Sequence, residues 1–354
     1  MEKPSVSRDM EAIPLYEPGK PPRALWDVDY LSELERVWGR RWGAMSDIGK
    51  IHMIMVSRPD GRELQPNIVG IEEKDKEFFG LGEEIPDLER LQQQFDRFVA
   101  ILQEEGIEVV DLNLPAQVKG AYLPFPQGIR GVRDLVILNG GAIIPRLGVA
   151  PKRGCEIYWA RRLLELGCPI LYTVHGTGCF EGGNVCWIDS KHVLVGISVR
   201  TNPEGLRQVE PIFKMAGVEE VHPVFLSSYL GESLGYQHHL DVVFGMVDRN
   251  LAVVFPPGID WVTLEYLRRR GVKLIEVPHE EMLNAACNCL AVEPGRVIIP
   301  AGNPRTAEAL AKEGVTVIEV DLSQRISSRI RSGRGAGGGG GPVCATAPLI
   351  REPV

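Results

Sequence analysis

KEGVTVIEV (residues 312–320) combines the end of a helix, a glycine and a short β-branched strand. RRGVKLIEV (residues 269–277) has the same pattern, and its repetition along the chain indicates the fold. The same pattern occurs in EEGIEVVDL (104–112), ELGCPILYT (165–173) and MAGVEEVHP (215–223). Glycine directly after a helical segment is the expected left-handed cap, because without a Cβ it lets the chain reverse. The sequence therefore carries five copies of one helix–glycine–strand unit.

Two short strands are predicted ahead of four of these helices. They lie in DLVILNGGAIIPR (134–146), NVCWIDSKHVLVGIS (184–198), DVVFGMVDRNLAVVF (241–255) and NCLAVEPGRVIIPAG (288–302). Asn139-Gly140 and Pro294-Gly295 are typical hairpin turns between such strands. The first unit is expected to begin with IGKIHMIMVSRP (48–59), with a long insertion before its helix.

A unit of two strands, a helix and a strand cannot bury both faces of its helix and sheet, so we expect the five units to pack around a shared centre. The predicted fold is an α/β fold, a five-fold pseudosymmetric α/β propeller of ββαβ repeats. It would occupy residues 31–354 as a single catalytic domain, with residues 1–30 as an N-terminal extension rich in proline and charge. A doubly wound open sheet expects one strand per helix and fits this pattern less well.

Composition and charge narrow the classes of function. A net charge of -8 argues against a nucleic-acid partner or an anionic membrane surface. There is no long apolar run for a spanning helix and no apolar signal segment near the start, so we expect no membrane association. The seven cysteines include no Cys-x-x-Cys pair, which predicts no metal site and a reducing, cytoplasmic location. A homo-oligomer is compatible with this composition.

Polar residues interrupt the repeat where apolar strand starts are expected. In HLDVVF (239–244), His239 and Asp241 would point to one face of a strand, and histidine is the residue type best suited to proton transfer near neutral pH. In FEGGNV (180–185), two glycines after Glu181 would let a ligand approach the backbone. Asp134 follows Arg133 at the start of another strand. Taken singly, each of these is also compatible with a turn or a solvated charge pair.

The segment GRGAGGGGGPVCATAPLIREPV (333–354) allows two interpretations. A glycine-rich run is usually a flexible tail or linker. The stretch CATAPLI (344–350) instead predicts a closing strand after the last helix, and the glycines then form a loop that holds the Cys344 thiol at the centre. The G-x-G-x-x-G spacing in GRGAGG opens no βαβ unit, so no dinucleotide cofactor is predicted. Cys155, Cys168, Cys179 and Cys186 are predicted to be packing residues.

Three carboxylates, an imidazole and a thiol would thus converge from different units. Acids gathered in a water-poor site are costly unless a cation neutralises them. Without a metal pattern, the economical partner is a cationic organic ligand, and a planar guanidinium fits because it forks onto carboxylates. A thiolate and an imidazole beside its central carbon imply covalent attack by Cys344, with His239 protonating the leaving amine.

These segments resemble the guanidine-modifying (pentein) superfamily, especially the arginine deiminase and amidinotransferase families. From about residue 45 onward, the segments RDLVILNGGAIIPR, FEGGNV, GISVRTN, HLDVVF and the cysteine loop are similar to that superfamily's RD, EGGD, SERT, HLD and glycine-rich cysteine motifs. The resemblance implies a five-repeat propeller that binds a small guanidino substrate without a cofactor. It also implies roles for particular residues: nucleophile Cys344, acid/base His239, guanidinium-binding Asp134, Glu181 and Asp241, and substrate carboxylate-binding Arg153 and Arg200.

Departures from the superfamily motifs leave the substrate and the reaction open. Asn184 replaces an acid of the EGGD motif, so that end of the substrate would be held differently, and Gly339 stands where some deiminases have an arginine, for which Arg334 could substitute. We favour a deiminase-type hydrolase that releases ammonia and leaves a ureido product. The alternatives are an amidinotransferase and a dimethylarginine-type hydrolase, whose family tends to lack the acid at Asp241. A non-catalytic binding protein is disfavoured because nucleophile, imidazole and acids are all present.

Overall fold

A computed structural model describes residues 18–19, 29–61, 87–114, 131–148, 152–228, 238–330 and 340–354, with side chains left out at 327–330. The predicted extension, residues 1–30, lies almost entirely outside the described residues. Arg334 and Gly339, the two loop positions compared above, also lie outside them.

The described part of the chain contains eight α-helices. They are α1 (Tyr30–Trp38), α2 (Leu88–Glu104), α3 (Cys155–Glu165), α4 (Pro203–Met215), α5 (Trp261–Arg269), α6 (His279–Leu283), α7 (Pro304–Lys312) and α8 (Ser323–Ile330). None of them is both long enough and apolar enough to cross a membrane.

Fifteen strands form five sheets of three strands each within the same residues. The strands are β1 (Ile51–Val56), β2 (Glu108–Asp111), β3 (Val136–Leu138), β4 (Gly141–Ile144), β5 (Ile170–Thr173), β6 (Val185–Asp189), β7 (His192–Ile197), β8 (Glu220–Phe225), β9 (Phe244–Asp248), β10 (Leu251–Val254), β11 (Lys273–Glu276), β12 (Leu290–Glu293), β13 (Arg296–Pro300), β14 (Thr316–Val320) and β15 (Thr346–Arg351).

Every sheet has the same topology. Its central strand pairs antiparallel with one neighbour and parallel with the strand that follows the helix, as β4 does with β3 and β5. In the first unit the antiparallel partner is β15, which joins the last strand of the chain to β1. The predicted strand–strand–helix–strand repeat and the predicted closing strand in CATAPLI are therefore confirmed.

The five repeat glycines end their helices as predicted. Gly106, Gly167, Gly217, Gly271 and Gly314 have φ values of 76, 82, 103, 77 and 85°. These angles lie in the left-handed region, which side chains with a Cβ rarely adopt. Each glycine thus turns the chain from the helix into the parallel strand.

The helices present an apolar face to the sheets. In α2 the buried side chains include Leu91, Phe95, Phe98 and Leu102, four of the five residues of the predicted stripe. The fifth, Val99, is half-buried against the same cluster. Burying a side chain such as Phe98 contributes about 1.5–3 kcal/mol. The central strands β4 and β10 are buried along their whole length, whereas β1 exposes His52.

Three units begin with a one-turn 3₁₀-helix rather than with the predicted strand. The turns are Val132–Asp134, Gly182–Asn184 and Leu240–Val242, each just before the first strand of its unit. The prediction that His239 and Asp241 lie in a strand was wrong, because polar and apolar residues alternate over three positions in a tight turn as well. The turn Gly182–Asn184 contacts both of the other turns and so brings the candidate residues together.

Candidate active site

Two carboxylates and one imidazole form the buried centre of the site. His239 Nε2 lies 2.8 Å from Glu181 Oε2 and 3.8 Å from Asp134 Oδ1. All three residues are at least nine-tenths buried, and Glu181 is fully so. A carboxylate oxygen only accepts, so Nε2 carries the proton in the bond to Glu181. The predicted acid/base and two predicted guanidinium-binding acids are therefore neighbours.

A lysine that the sequence analysis did not select completes this group. Lys152 Nζ lies 2.8 Å from Asp134 Oδ2 and 3.4 Å from Glu181 Oε2. Burial alone would lower the pKa of Lys152, but the two carboxylates outweigh it and raise that pKa. The ammonium ion is therefore held as a cation between the two acids.

Glu181 is the most heavily contacted carboxylate of the group. The Gly148 backbone N–H donates to its Oε1 at 2.7 Å, and Arg200 Nη1 lies 3.5 Å from the same atom. Burial acts to raise the pKa of Glu181, but Lys152, Arg200 and the hydrogen bond from His239 together hold it well below its usual range. Glu181 is therefore ionised at any pH near neutrality.

The two glycines that follow Glu181 are required by the packing of the three turns. A Cβ on Gly182 would lie 2.4 Å from the Arg133 carbonyl oxygen, and one on Gly183 would lie 2.5 Å from His239 Nδ1. Both distances are far shorter than an ordinary contact. These glycines, which were expected to leave room for a ligand, leave room in the structure for the neighbouring turn and the imidazole.

The thiol is positioned through backbone and amide hydrogen bonds. The Cys344 N–H donates to Asn288 Oδ1 at 3.0 Å, and Asn288 Nδ2 donates to the Asp241 carbonyl oxygen at 3.0 Å. Cys344 Sγ lies 3.9 Å from Asp241 Oδ2. A Cβ on Gly340 would lie 2.4 Å from Cys344 Sγ. The buried Asn288 amide thus ties the cysteine to the turn that follows His239.

Asp241 also faces a buried arginine. Arg133 Nε lies 3.6 Å from Asp241 Oδ2, and Arg133 Nη2 lies 3.7 Å from Asp47 Oδ1 and donates to the Val185 carbonyl oxygen at 2.6 Å. Burial acts to lower the pKa of Arg133, but Asp47 and Asp241 outweigh it and raise that pKa. Arg133, which the sequence treats as a solvated charge by default, is an internal cation.

The three predicted substrate-binding residues have different surroundings. Arg200 reaches Glu181, as described above, whereas Arg153 Nη2 lies 3.8 Å from Cys179 Sγ. The buried Asn184 amide donates to Ser198 Oγ and accepts from the Leu240 N–H, at 3.1 and 3.0 Å. Asn184 therefore connects two turns of the site, and its predicted contact with substrate stays a prediction.

Three of the four cysteines predicted to be packing residues are buried, and the fourth, Cys179, is only half-buried. Cys155, Cys168, Cys186, Cys287 and Cys289 are buried. Burial raises the pKa of Cys168 and Cys289 to about 12. A thiol with so high a pKa is a poor nucleophile at neutral pH. The half-buried Cys344, beside polar groups, is the thiol best placed for chemistry.

Resident cations accompany all three carboxylates that the sequence assigns to a guanidinium. Lys152 pairs with Asp134, Arg200 lies beside Glu181, and Arg133 lies beside Asp241. The expectation that these acids need a cationic ligand for neutralisation was wrong, because side chains of the protein supply the positive charge. The three carboxylates therefore do not by themselves indicate a guanidino substrate.

Asp134, Glu181 and His239 also form the one group of potential metal donors found among the described residues, with ligand atoms within 4.8 Å of one another. The Lys152 ammonium contacts both carboxylates of this group. A metal ion bound by these three residues would have to lie close to that cation.

Comparison with known proteins shows that the chain belongs to the family described as N,N dimethylarginine dimethylhydrolase, eukaryotic, whose model matches residues 171–351, just over half of the chain. This chain is therefore an enzyme of the guanidine-modifying (pentein) superfamily.

Individual relatives extend over most of the chain. A 2-nitroimidazole nitrohydrolase of Mycobacterium sp. is 27% identical over 348 residues, which are 94% of this chain and 88% of that protein. The N(G),N(G)-dimethylarginine dimethylaminohydrolase of Pseudomonas aeruginosa is 28% identical over 240 residues, 68% of this chain and 84% of that protein. A solved structure of the Pseudomonas aeruginosa enzyme, as a cysteine-to-serine mutant complexed with citrulline, has a TM-score of 0.64. It covers 85% of this chain and all of that one at 24% identity, and this likeness concerns the fold.

Proposed function

We propose that this enzyme is a hydrolase acting on the guanidino group of arginine, an N-methylated arginine or a related guanidino compound. The observation that carries the proposal is the position of Cys344, whose Sγ lies 3.9 Å from the carboxylate of Asp241, two residues after the buried His239. Membership of the dimethylarginine dimethylhydrolase family supports a guanidino substrate.

In the first step the Cys344 thiolate attacks the central carbon of the guanidinium. Asp134, Glu181 and Asp241 hold the guanidinium N–H groups by charge-assisted hydrogen bonds, which fix the carbon opposite the sulfur. His239 donates a proton to the departing nitrogen, and the C–N bond breaks to release ammonia or an alkylamine. A thiouronium-type intermediate remains on the sulfur.

In the second step water attacks the same carbon. His239, now without the proton that it gave away, accepts a proton from the water, the C–S bond breaks to regenerate the Cys344 thiolate, and the remaining proton of the water passes to the released ammonia or amine. The net reaction consumes one guanidinium and one water and yields a ureido compound and an ammonium ion. Arg153 and Arg200 are proposed to hold the carboxylate of an amino-acid substrate.

We further propose that the five sheets form a closed five-fold propeller that surrounds this site. The pairing of β15 with β1 supports the proposal, because it joins the first and last strands of the described chain in one sheet. A hydrogen bond from Arg351 to the Ala291 carbonyl oxygen supports it as well, because it links β15 to β12 of the neighbouring unit.

A second candidate function is hydrolytic displacement on an uncharged N–C–N carbon, such as C2 of a 2-nitroimidazole. The resident cations Lys152, Arg133 and Arg200 favour it, because a neutral substrate leaves the three pairs intact. The relationship to a 2-nitroimidazole nitrohydrolase over 94% of the chain is in keeping with this candidate. Cys344 would attack C2, nitrite would leave, and water would release the imidazolone.

The deciding experiment is a substrate screen with the full-length enzyme. Arginine, N,N-dimethylarginine, agmatine and 2-nitroimidazole are each incubated with and without an amine acceptor, and ammonia, dimethylamine, ureido product, transferred amidino group and nitrite are measured. We expect amine release and a ureido product without any acceptor. Products that form only with the acceptor would identify an amidinotransferase, and nitrite alone would identify the second candidate. Turnover of every substrate by Cys344→Ser at the native rate would rule out the thiol mechanism.

A further inference from the structure

The Lys152 ammonium occupies the position between two acids that the proposed function gives to the substrate. Its Nζ lies 2.8 Å from Asp134 Oδ2 and 3.4 Å from Glu181 Oε2, the oxygen to which His239 Nε2 also bonds. Two cations cannot share these oxygens without strong repulsion, since both would lie a few ångströms apart in a buried site. A guanidinium can bind both acids only after this ammonium has left.

The other two resident cations are less exposed than Lys152. The Arg133 side chain is 13% exposed and donates to the Val185 carbonyl oxygen at 2.6 Å, and the Arg200 side chain is 6% exposed. The Lys152 side chain is 18% exposed and ends in a compact charge on a flexible four-carbon stem. Of the three cations, Lys152 is the one best suited to move aside.

We propose that Lys152 is a resident counter-ion that a guanidino substrate replaces on binding, and therefore a residue that determines the affinity for cationic substrates. The proposal rests on the proposed function. A guanidinium has five donors in a planar fork, so it can satisfy both carboxylates bidentately where the ammonium makes one short contact. Because only molecules with Lys152 displaced can bind, the apparent Kd is the intrinsic Kd divided by the displaced fraction.

The test measures binding to a Cys344→Ser background, in which ligands are not consumed. Lys152→Met removes the ammonium and keeps the length of the side chain, and we expect it to tighten binding of arginine or N,N-dimethylarginine by about tenfold or more. The Kd for citrulline, whose ureido group carries no charge, should change by less than about threefold. Lys191→Met is the matched control, because Lys191 pairs with Glu219 on the surface, and it should change neither affinity.

Two further measurements keep the proposal testable if Lys152→Met folds poorly. Lys152→Arg retains the charge and forks onto both acids, so it should weaken binding of arginine. Acetylation of lysines in the folded protein, followed by mass spectrometry, should show faster modification of Lys152 when arginine is added. Lys312, exposed beside Glu308, serves as the internal reference.

Weaker binding of arginine by Lys152→Met would overturn the proposal, because Lys152 would then help to hold the substrate. Unchanged binding, or slower acetylation of Lys152 with ligand present, would also overturn it. These results differ from a failure of the proposed function, in which neither the parent protein nor any Lys152 variant binds a guanidino compound.

Discussion

The imidazole half of the site is held by charged side chains, whereas the thiol half is held by hydrogen bonds to its backbone. In the first half, the largely buried Lys152 ammonium contacts the carboxylates of Asp134 and Glu181, and Glu181 also bonds to the His239 imidazole. In the second half, Cys344 is fixed through its backbone N–H. We therefore expect a change of side-chain charge to disturb the first half, and a change of backbone conformation to disturb the second half.

The two halves meet at one turn, Leu240–Val242. His239 precedes this turn, and the Asp241 carbonyl oxygen accepts from Asn288, which in turn binds the Cys344 N–H. The carboxylate of Asp241 faces the thiol on one side and Arg133 on the other. The following predictions separate the contributions of the two halves.

The largest effect is expected from removal of the thiol. Cys344→Ala should lower kcat by about 10⁴-fold or more, because no covalent intermediate can form without the nucleophile. Turnover is measured with the best substrate from the screen. The control is Cys287→Ala, which removes a buried packing thiol and should leave kcat within about threefold of the native value. Near-native turnover by Cys344→Ala would exclude the thiol half from the chemistry.

His239→Ala should have the next largest effect. A positioned general acid contributes about 10²- to 10⁴-fold, so we expect kcat to fall by this amount while the protein stays folded. An alkylating reagent such as iodoacetamide should still modify Cys344 in the variant, since the backbone contacts that position the thiol are retained. Unchanged kcat in a folded His239→Ala protein would contradict the role of the imidazole half.

Glu181→Gln tests the charge network through stability. Removing this carboxylate takes one anionic partner away from the largely buried cations Lys152 and Arg200. Loss of one partner of a buried ion pair typically costs about 3–5 kcal/mol of unfolding free energy. The folded-state pKa of Glu181 is depressed, so its stabilisation is present above the usual carboxyl pKa near 4.5 and is lost as pH falls through the lower folded value. Denaturant unfolding should therefore show a large difference between native and variant protein at pH 7 and a smaller one in acid. A constant difference at both pH values would argue against a charge effect.

Alanine at two glycines makes the same kind of clash in each half. Gly183→Ala places a Cβ 2.5 Å from His239 Nδ1, and Gly340→Ala places one 2.4 Å from Cys344 Sγ. Displacement of a reacting group by about 1 Å costs on the order of 10²-fold in rate, so both variants should lower kcat by this amount. Only Gly340→Ala should change the rate at which iodoacetamide modifies Cys344. Equal alkylation rates in both variants would mean that the two halves are not independent.

Much of the fold could be predicted because its signals are local. The five cap glycines, the hairpin turns and the strand in CATAPLI are each encoded within a few residues, and the structure confirms the strands and caps that they imply. The 3₁₀ turn at Leu240–Val242 was mistaken for a strand, because three residues carry too little periodicity to distinguish the two. The grouping of Glu181 with His239 was predicted from motifs rather than from spacing.

The rest of the site depends on packing between units, which a single sequence does not reveal. Lys152 stands beside Arg153 in a basic segment, and nothing in that segment indicates which of the two cations turns inward. Asn288 lies between two cysteines in CNC and could equally be a turn residue. The internal cations Lys152, Arg133 and Arg200 could not be recognised from the sequence, and for that reason the prediction that the acids need a cationic ligand was wrong.

The smallest effect is expected from Asp241→Asn, at the junction of the two halves. The substitution keeps the size of the side chain and its backbone contact with Asn288 but removes one charge near the thiol. Loss of a charge-assisted hydrogen bond should weaken binding of a guanidino ligand by about 1.5–3 kcal/mol. Calorimetric titration on a Cys344→Ser background measures this loss, with citrulline as the uncharged comparison ligand. If the two ligands lose affinity equally, Asp241 acts by shaping the turn for both halves; a loss confined to the cation means that its charge contacts the substrate directly.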